Sequence, residues 1–156
     1  MPAPLNKTFR IVLDEAKSGL TYAFRAEKEK ASATGALGPN GLFIALQVRA
    51  QEQADLLAGR LLDAAETVMA RQELDGEAAR SAADEVFDQF IQFVVQSYET
   101  ENRLQSKARK VSAPPIHSSL FRISRQRLSA GFAETMERAP LSKRLTQLFG
   151  KLRGAG

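Results

Sequence analysis

Seven cations fall in one acid-free stretch of this chain: Arg103, Lys107, Arg109, Lys110, Arg122, Arg125 and Arg127. No aspartate or glutamate lies between Asn102 and Ala133. On a helix, Arg103, Lys107 and Lys110 share a face through their three- and four-residue spacing. Such a cluster attracts phosphate, whether in nucleic acid or at an anionic membrane surface, and it also attracts an acidic protein partner. Two ordinary roles compete with these. Cations near a helix C-terminus are stabilised by the helix dipole, and they can pair with carboxylates elsewhere in the chain. Between Arg103 and Arg127, Phe121 is the only aromatic, so the tract offers little for stacking on single-stranded bases.

Other residues that could do chemistry are few. His117 is the only histidine and sits beside a Pro-Pro pair, which makes it a solvated linker residue. A helical di-iron site needs a Glu-x-x-His pair from each of two helices, and one histidine cannot supply that. Glu66, Glu73, Glu77 and Asp84 could pair as carboxylates, but no pattern gathers them into a cleft. The glycine-rich stretch from Gly35 to Gly41 precedes a helix, and helix N-termini bind anions. No strand clearly precedes it and no Lys-Ser or Lys-Thr follows, so it matches no phosphate-loop pattern. Cysteine is absent, which removes disulfides, thiolate metal sites and cysteine nucleophiles. The expectation is a protein that is not an enzyme and has no cofactor or metal.

The elements that must position the basic tract are helical. The stretch Leu42–Leu74 carries Phe43, Ala50, Ala54, Leu57, Leu61, Ala64 and Val68 at four-three spacing, a heptad-like seam that Gln47 interrupts once. Glu77–Lys110 carries Ala79, Ala83, Val86, Phe90 and Val94 on one stripe, flanked by Phe87, Ile91, Val95 and Tyr98. Leu74-Asp75-Gly76-Glu77 reverses the chain, with Gly76 as the residue able to take a left-handed conformation. So tight a turn makes the two helices antiparallel. Apolar burial between two helices alone falls short of the entropy cost of ordering them. A further layer is required, from the N-terminal segment, the C-terminal helices or a second copy of the chain.

Residues 5–33 read in two ways. As a helix, Leu5, Phe9, Val12, Ala16, Leu20 and Ala23 or Phe24 share a face. As a β-hairpin, Phe9, Ile11 and Leu13 alternate, and so do Leu20, Tyr22 and Phe24. The predicted fold is all-α: a long antiparallel helical hairpin with N- and C-terminal helices forming a bundle, and an N-terminal β-hairpin as the alternative.

Three regions are expected: a bundle core over 1–111, a proline-containing linker over 112–117, and basic amphipathic helices over 118–156. Charge divides the chain differently: residues 1–35 carry net +2, 36–110 net −4 and 111–156 net +6, an acidic middle and a basic tail on a chain of net charge +4. In the tail, Leu141, Leu145, Leu148, Phe149 and Leu152 share one face of a docking helix, suited to a partner groove or a membrane surface. No run reaches the roughly 18 apolar residues of a membrane span. Met1-Pro2-Ala3-Pro4 lacks the order of a secretory signal, so a cytoplasmic location is expected. The expected role is a non-enzymatic helical interaction or adaptor protein that self-associates as a homo-oligomer. A nucleic-acid binder using residues 103–127 and a peripheral membrane protein using the last helix are the alternatives.

Overall fold

The computed structural model describes residues 5–34, 41–109 and 113–135. The described residues are helical and contain no strand. The helices are α1 (Lys7–Thr34), α2 (Gly41–Ala70) and α3 (Gly76–Arg109), followed by a short 3-10 turn (Ser118–Phe121) that leads into α4 (122–135).

The N-terminal segment is one helix, which overturns the β-hairpin alternative. Asn6 starts it: the Thr8 amide donates to Asn6 Oδ1 at 2.9 Å, satisfying one of the free donors of the first turn. Phe9, Leu13, Ala16, Leu20 and Phe24 are buried. The four large side chains among them contribute roughly 1.5–3 kcal/mol each. Gly19 in the helix interior costs only about 1 kcal/mol, so packing decides the conformation.

The central hairpin is antiparallel, as its tight reversal requires. Every residue of the expected α2 seam is buried, and so are Ala79, Ala83, Val86, Phe90 and Val94 of α3. Gln47, the break in that seam, donates to the Tyr98 hydroxyl at 3.1 Å. Tyr98 also meets Phe43 edge to face, with ring centroids 6.3 Å apart.

The reversal is built differently from the expectation. The Glu73 amide donates to the Val68 carbonyl at 2.9 Å and the Gln72 amide to the Met69 carbonyl at 3.0 Å. These two bonds form a Schellman cap. Its left-handed residue is Gln72, at φ 58°. Gly76 is instead the first residue of α3. Asp75 caps that helix, its Oδ1 accepting from the Ala78 amide at 2.8 Å.

The required further layer comes from the chain itself, on both faces of the hairpin. On one face, α1 runs antiparallel to α2 and parallel to α3. Asn6 reaches Glu73, Glu15 approaches Arg60 at 3.6 Å, and Glu27 binds Arg49 at 2.7 Å, in order along α2. Lys17 sits over Phe93 and Lys28 pairs with Glu101, in order along α3. On the other face, Phe121, Leu128 and Phe132 are buried in the same core cluster. Ser124 Oγ donates to Asp55, and Gly131 abuts Leu62. These contacts run α4 parallel to α2.

Candidate functional site

The hairpin divides the basic tract. On α4, Arg125 binds Asp88 of α3 at 2.7 Å and lies over the Phe87 ring at 4.9 Å. Arg127 approaches Asp55 of α2 at 3.9 Å. These two cations fasten α4 to the acidic middle of the chain, as the ordinary reading of the tract expected. Arg122 is exposed and forms no ion pair with a described residue.

Arg103 and Lys107 stand elsewhere. They are exposed and form no ion pair with a described residue. Fifteen positions separate Arg103 from Asp88, about 22 Å along the helix axis. Gln96, Thr100, Arg103 and Lys107 follow one another at four- and three-residue spacing, so they form a single row on α3. Its first two members, Gln96 and Thr100, line a hollow beside α1. Arg109 ends α3, and Lys110 lies outside the described residues.

A hollow lies between α1 and α3, and a second one, lined by α1 residues, shares Arg25 and Lys28 with it. Gln96 and Thr100 line the α3 wall; Thr21, Arg25 and Lys28 line the α1 wall. Phe24, Phe93, Ser97 and Glu101 complete the upper hollow, while Glu29, Ser32 and Ala33 belong to the lower one. Lys17 Nζ lies 5.5 Å from the centre of the Phe93 ring at the upper end. Lys28 Nζ binds Glu101 Oε1 at 2.7 Å. The other oxygen, Glu101 Oε2, is buried and has no hydrogen-bond partner among the described residues. Lys17, Arg25 and Lys28 are thus the cations of α1 that stand on this α1–α3 seam. Sequence alone hid them, because the two walls are about 75 positions apart and α1 also fitted a hairpin. The Lys28–Glu101 pair, whose members are 73 positions apart, shows how distant those walls are.

A second buried carboxylate faces α2. Glu27, 7% exposed, accepts from Arg49 Nε at 2.7 Å, and Arg49 Nη1 binds Glu52 at 2.8 Å. Those two hydrogen bonds, Glu27 first, raise the Arg49 guanidinium above its ordinary value. The pair ties α1 to α2.

The remaining expected residues stay apart. His117 is exposed in the extended segment before the 3-10 turn. Glu66, Glu73, Glu77 and Asp84 are exposed, and Glu73 accepts from Asn6 Nδ2 at 3.1 Å. Among the described residues, no three histidine or carboxylate side chains are grouped to hold a metal ion. No described helix is long and apolar enough to cross a membrane. The docking-helix residues Leu141, Leu145, Leu148, Phe149 and Leu152 lie outside the described residues, as do 35–40 of the glycine-rich stretch.

The outer surface carries a further feature. Ile44, Val48 and Leu56 are 58%, 46% and 55% exposed on α2, at spacings that keep them on its outward side. Gly59 continues that side, and a Cβ there would meet nothing within 4 Å. Ile123, 60% exposed, sits one turn before Arg127 on the flank of α4 that reaches Asp55. No protein family, curated protein or solved structure matches this chain.

Proposed function

We propose that this protein is a non-enzymatic helical interaction module that associates with a second copy of itself through the outer face of α2. The observation that carries this is the row Ile44, Val48 and Leu56: large apolar side chains exposed on a helix whose inner face is already fully packed. Scattered exposed apolar residues are ordinary, whereas a row along one helix marks an interaction site. An isologous pair would set the row against its own copy, an apolar surface of equal length. Glu52 falls within the row, between Val48 and Leu56, and with its partner Arg49 it supplies opposite charges for a two-fold contact. The missing-layer argument for self-association no longer applies, since α1 and α4 supply that layer. The exposed row replaces it.

Light scattering at several protein concentrations tests this. The intact chain is expected to reach twice the mass of one chain as concentration rises. V48E combined with L56E is expected to remain at the mass of one chain with an unchanged helical circular dichroism spectrum. A chain that stays monomeric at every concentration refutes the proposal.

A further inference from the structure

Residues 136–156 continue the chain beyond Thr135, where the described part of α4 stops. From the structure we infer that residues 141–152 seat on the outer side of α2 of their own chain and there compete with a second copy. The competition rests on the self-association reading; the seat itself does not.

The end of α4 sets what this segment reaches. Ser124 meets Asp55 and Gly131 abuts Leu62, each pair 69 positions apart, so α4 keeps one register along α2. Thr135 is therefore level with Glu66. Residues 136–140 are enough for a connection between antiparallel helices, and Pro140 suits the first turn of the next one. A helix over 141–152 then runs back along the bundle for about 18 Å, from the level of Glu66 to that of Asp55.

Exposure selects the side it covers. The large exposed apolar side chains within that reach are Leu56 on α2 and, on the flank of α4 that meets α2, Ile123. Ile11 and Tyr22 belong to α1, on the opposite face of the hairpin from α4. Leu104 lies past Tyr98, which is level with Gln47, and so stands near the start of α2. Over the same reach the outer side of α3 presents Glu77, Arg80, Asp84, Glu85 and Asp88, with no large exposed apolar residue before Leu104. An apolar face made of Leu141, Leu145, Leu148, Phe149 and Leu152 fits the α2 side and not the α3 side.

Charge agrees. Asp63 and Glu66 continue the outer side of α2 at four- and three-residue spacing from Gly59. Both are exposed and form no ion pair with a described residue. Glu52 lies one turn before Leu56 and is shared with Arg49, while Arg60 turns to Glu15 on α1. On the segment, Arg144 and Lys151 share one flank of the apolar face, seven positions apart, and Arg153 lies on the other. In the reversed direction Arg144 comes level with Asp63, and Lys151 with Leu56, one turn from Glu52. A basic amphipathic helix thus meets an apolar residue framed by carboxylates.

Leu56 belongs to the row that a second copy would cover. A segment tethered a few residues away occupies that site as an intramolecular ligand. It lowers the apparent affinity for the second copy by the fraction of chains whose row is open.

Nuclear magnetic resonance on the full chain tests this. The chain has no cysteine, so Q147C places one nitroxide label on the segment, away from its apolar face. In dilute, nitrogen-15-labelled protein, the label is expected to broaden the amide signals of residues 56–66. Mixing nitroxide-bearing chains without nitrogen-15 with unlabelled-side-chain nitrogen-15 chains should give no such broadening. L145E combined with L148E should abolish it and leave the helical circular dichroism of the bundle in place. R144E combined with K151E should weaken it, which keeps the test open should the first pair disturb folding. The inference is overturned if residues 56–66 stay sharp, or if they broaden only in the mixed sample, where the segment reaches a neighbouring chain. For a segment seated about nine-tenths of the time, L145E with L148E should bring the light-scattering transition to twice the chain mass at roughly tenfold lower concentration. A transition at an unchanged concentration refutes the competition. Broadening within one chain, with a mass that never rises in either protein, supports the seat and refutes self-association instead.

Discussion

The Tyr98 hydroxyl donates to the Pro114 carbonyl at 2.5 Å, 16 positions further along the chain. The same hydroxyl accepts from Gln47. One phenol therefore joins α2, α3 and the segment leading to α4. Tyr98 is 1% exposed. Burial raises its ionisation above the ordinary 10.0, and the Gln47 hydrogen bond opposes that only in part.

The sign of the resulting pH dependence follows from linkage. A folded-state value above the unfolded one favours the neutral phenol in the fold. Its contribution is fully present below pH 10 and is lost as pH rises through the folded-state value. In a Y22F background, absorbance at 295 nm should show the remaining tyrosine ionising above 10, together with alkaline loss of helix. Ionisation at or below 10 with the helices intact would contradict the burial. Y98F should cost about 1 kcal/mol for the lost hydrogen bond, read by urea denaturation. It should also speed amide exchange in the residues around Pro114.

Gln72 occupies a left-handed position that glycine adopts without steric cost. Q72G should therefore raise stability by roughly 0.5–1 kcal/mol. The gain appears as a higher urea midpoint with an unchanged slope. A loss instead would mean that the cap formed by Val68, Met69, Gln72 and Glu73 is not the one the folded chain uses.

Two helix-interior glycines separate propensity from packing. At Gly59 an added Cβ meets open space, so G59A should stabilise by about 0.5–1 kcal/mol. At Gly131 a Cβ would fall 2.4 Å from Leu62 Cδ1 and 3.1 Å from its Cγ. Leu62 or α4 must then shift, and overpacking of that kind costs about 1–3 kcal/mol. G131A should thus be net destabilising although alanine is the better helix former. Thermal unfolding of the pair reads the difference. Equal gains would remove the close contact between α4 and α2.

Much of this architecture is written in the apolar spacing of α2 and α3. Their stripes are long, regular and interrupted only at Gln47, whose role as the donor to Tyr98 needs the partner helix to be visible. The N-terminal segment was ambiguous because Phe9, Leu13, Leu20 and Phe24 satisfy both a helical and an alternating pattern. The helix wins by tertiary burial, which no local window records. The reversal misled for a related reason: glycine predicts left-handed geometry by cost alone, yet the Schellman bonds place it on Gln72. The basic tract was legible only in part. Arg103 and Lys107 stood out by spacing, but the tract's continuity along the chain linked them to Arg125 and Arg127. In space Arg125 and Arg127 turn to Asp88 and Asp55, and Arg103 stands about four turns of α3 away from Asp88.

The order of the helices along the chain has a consequence for biosynthesis. α1, α2 and α3 leave the ribosome before α4 does, and they already make one face of the final core. Until Phe121, Leu128 and Phe132 emerge, the opposite face of the nascent hairpin is bare hydrocarbon. That interval is when the growing polypeptide is most exposed to misassociation with its neighbours and to capture by chaperones.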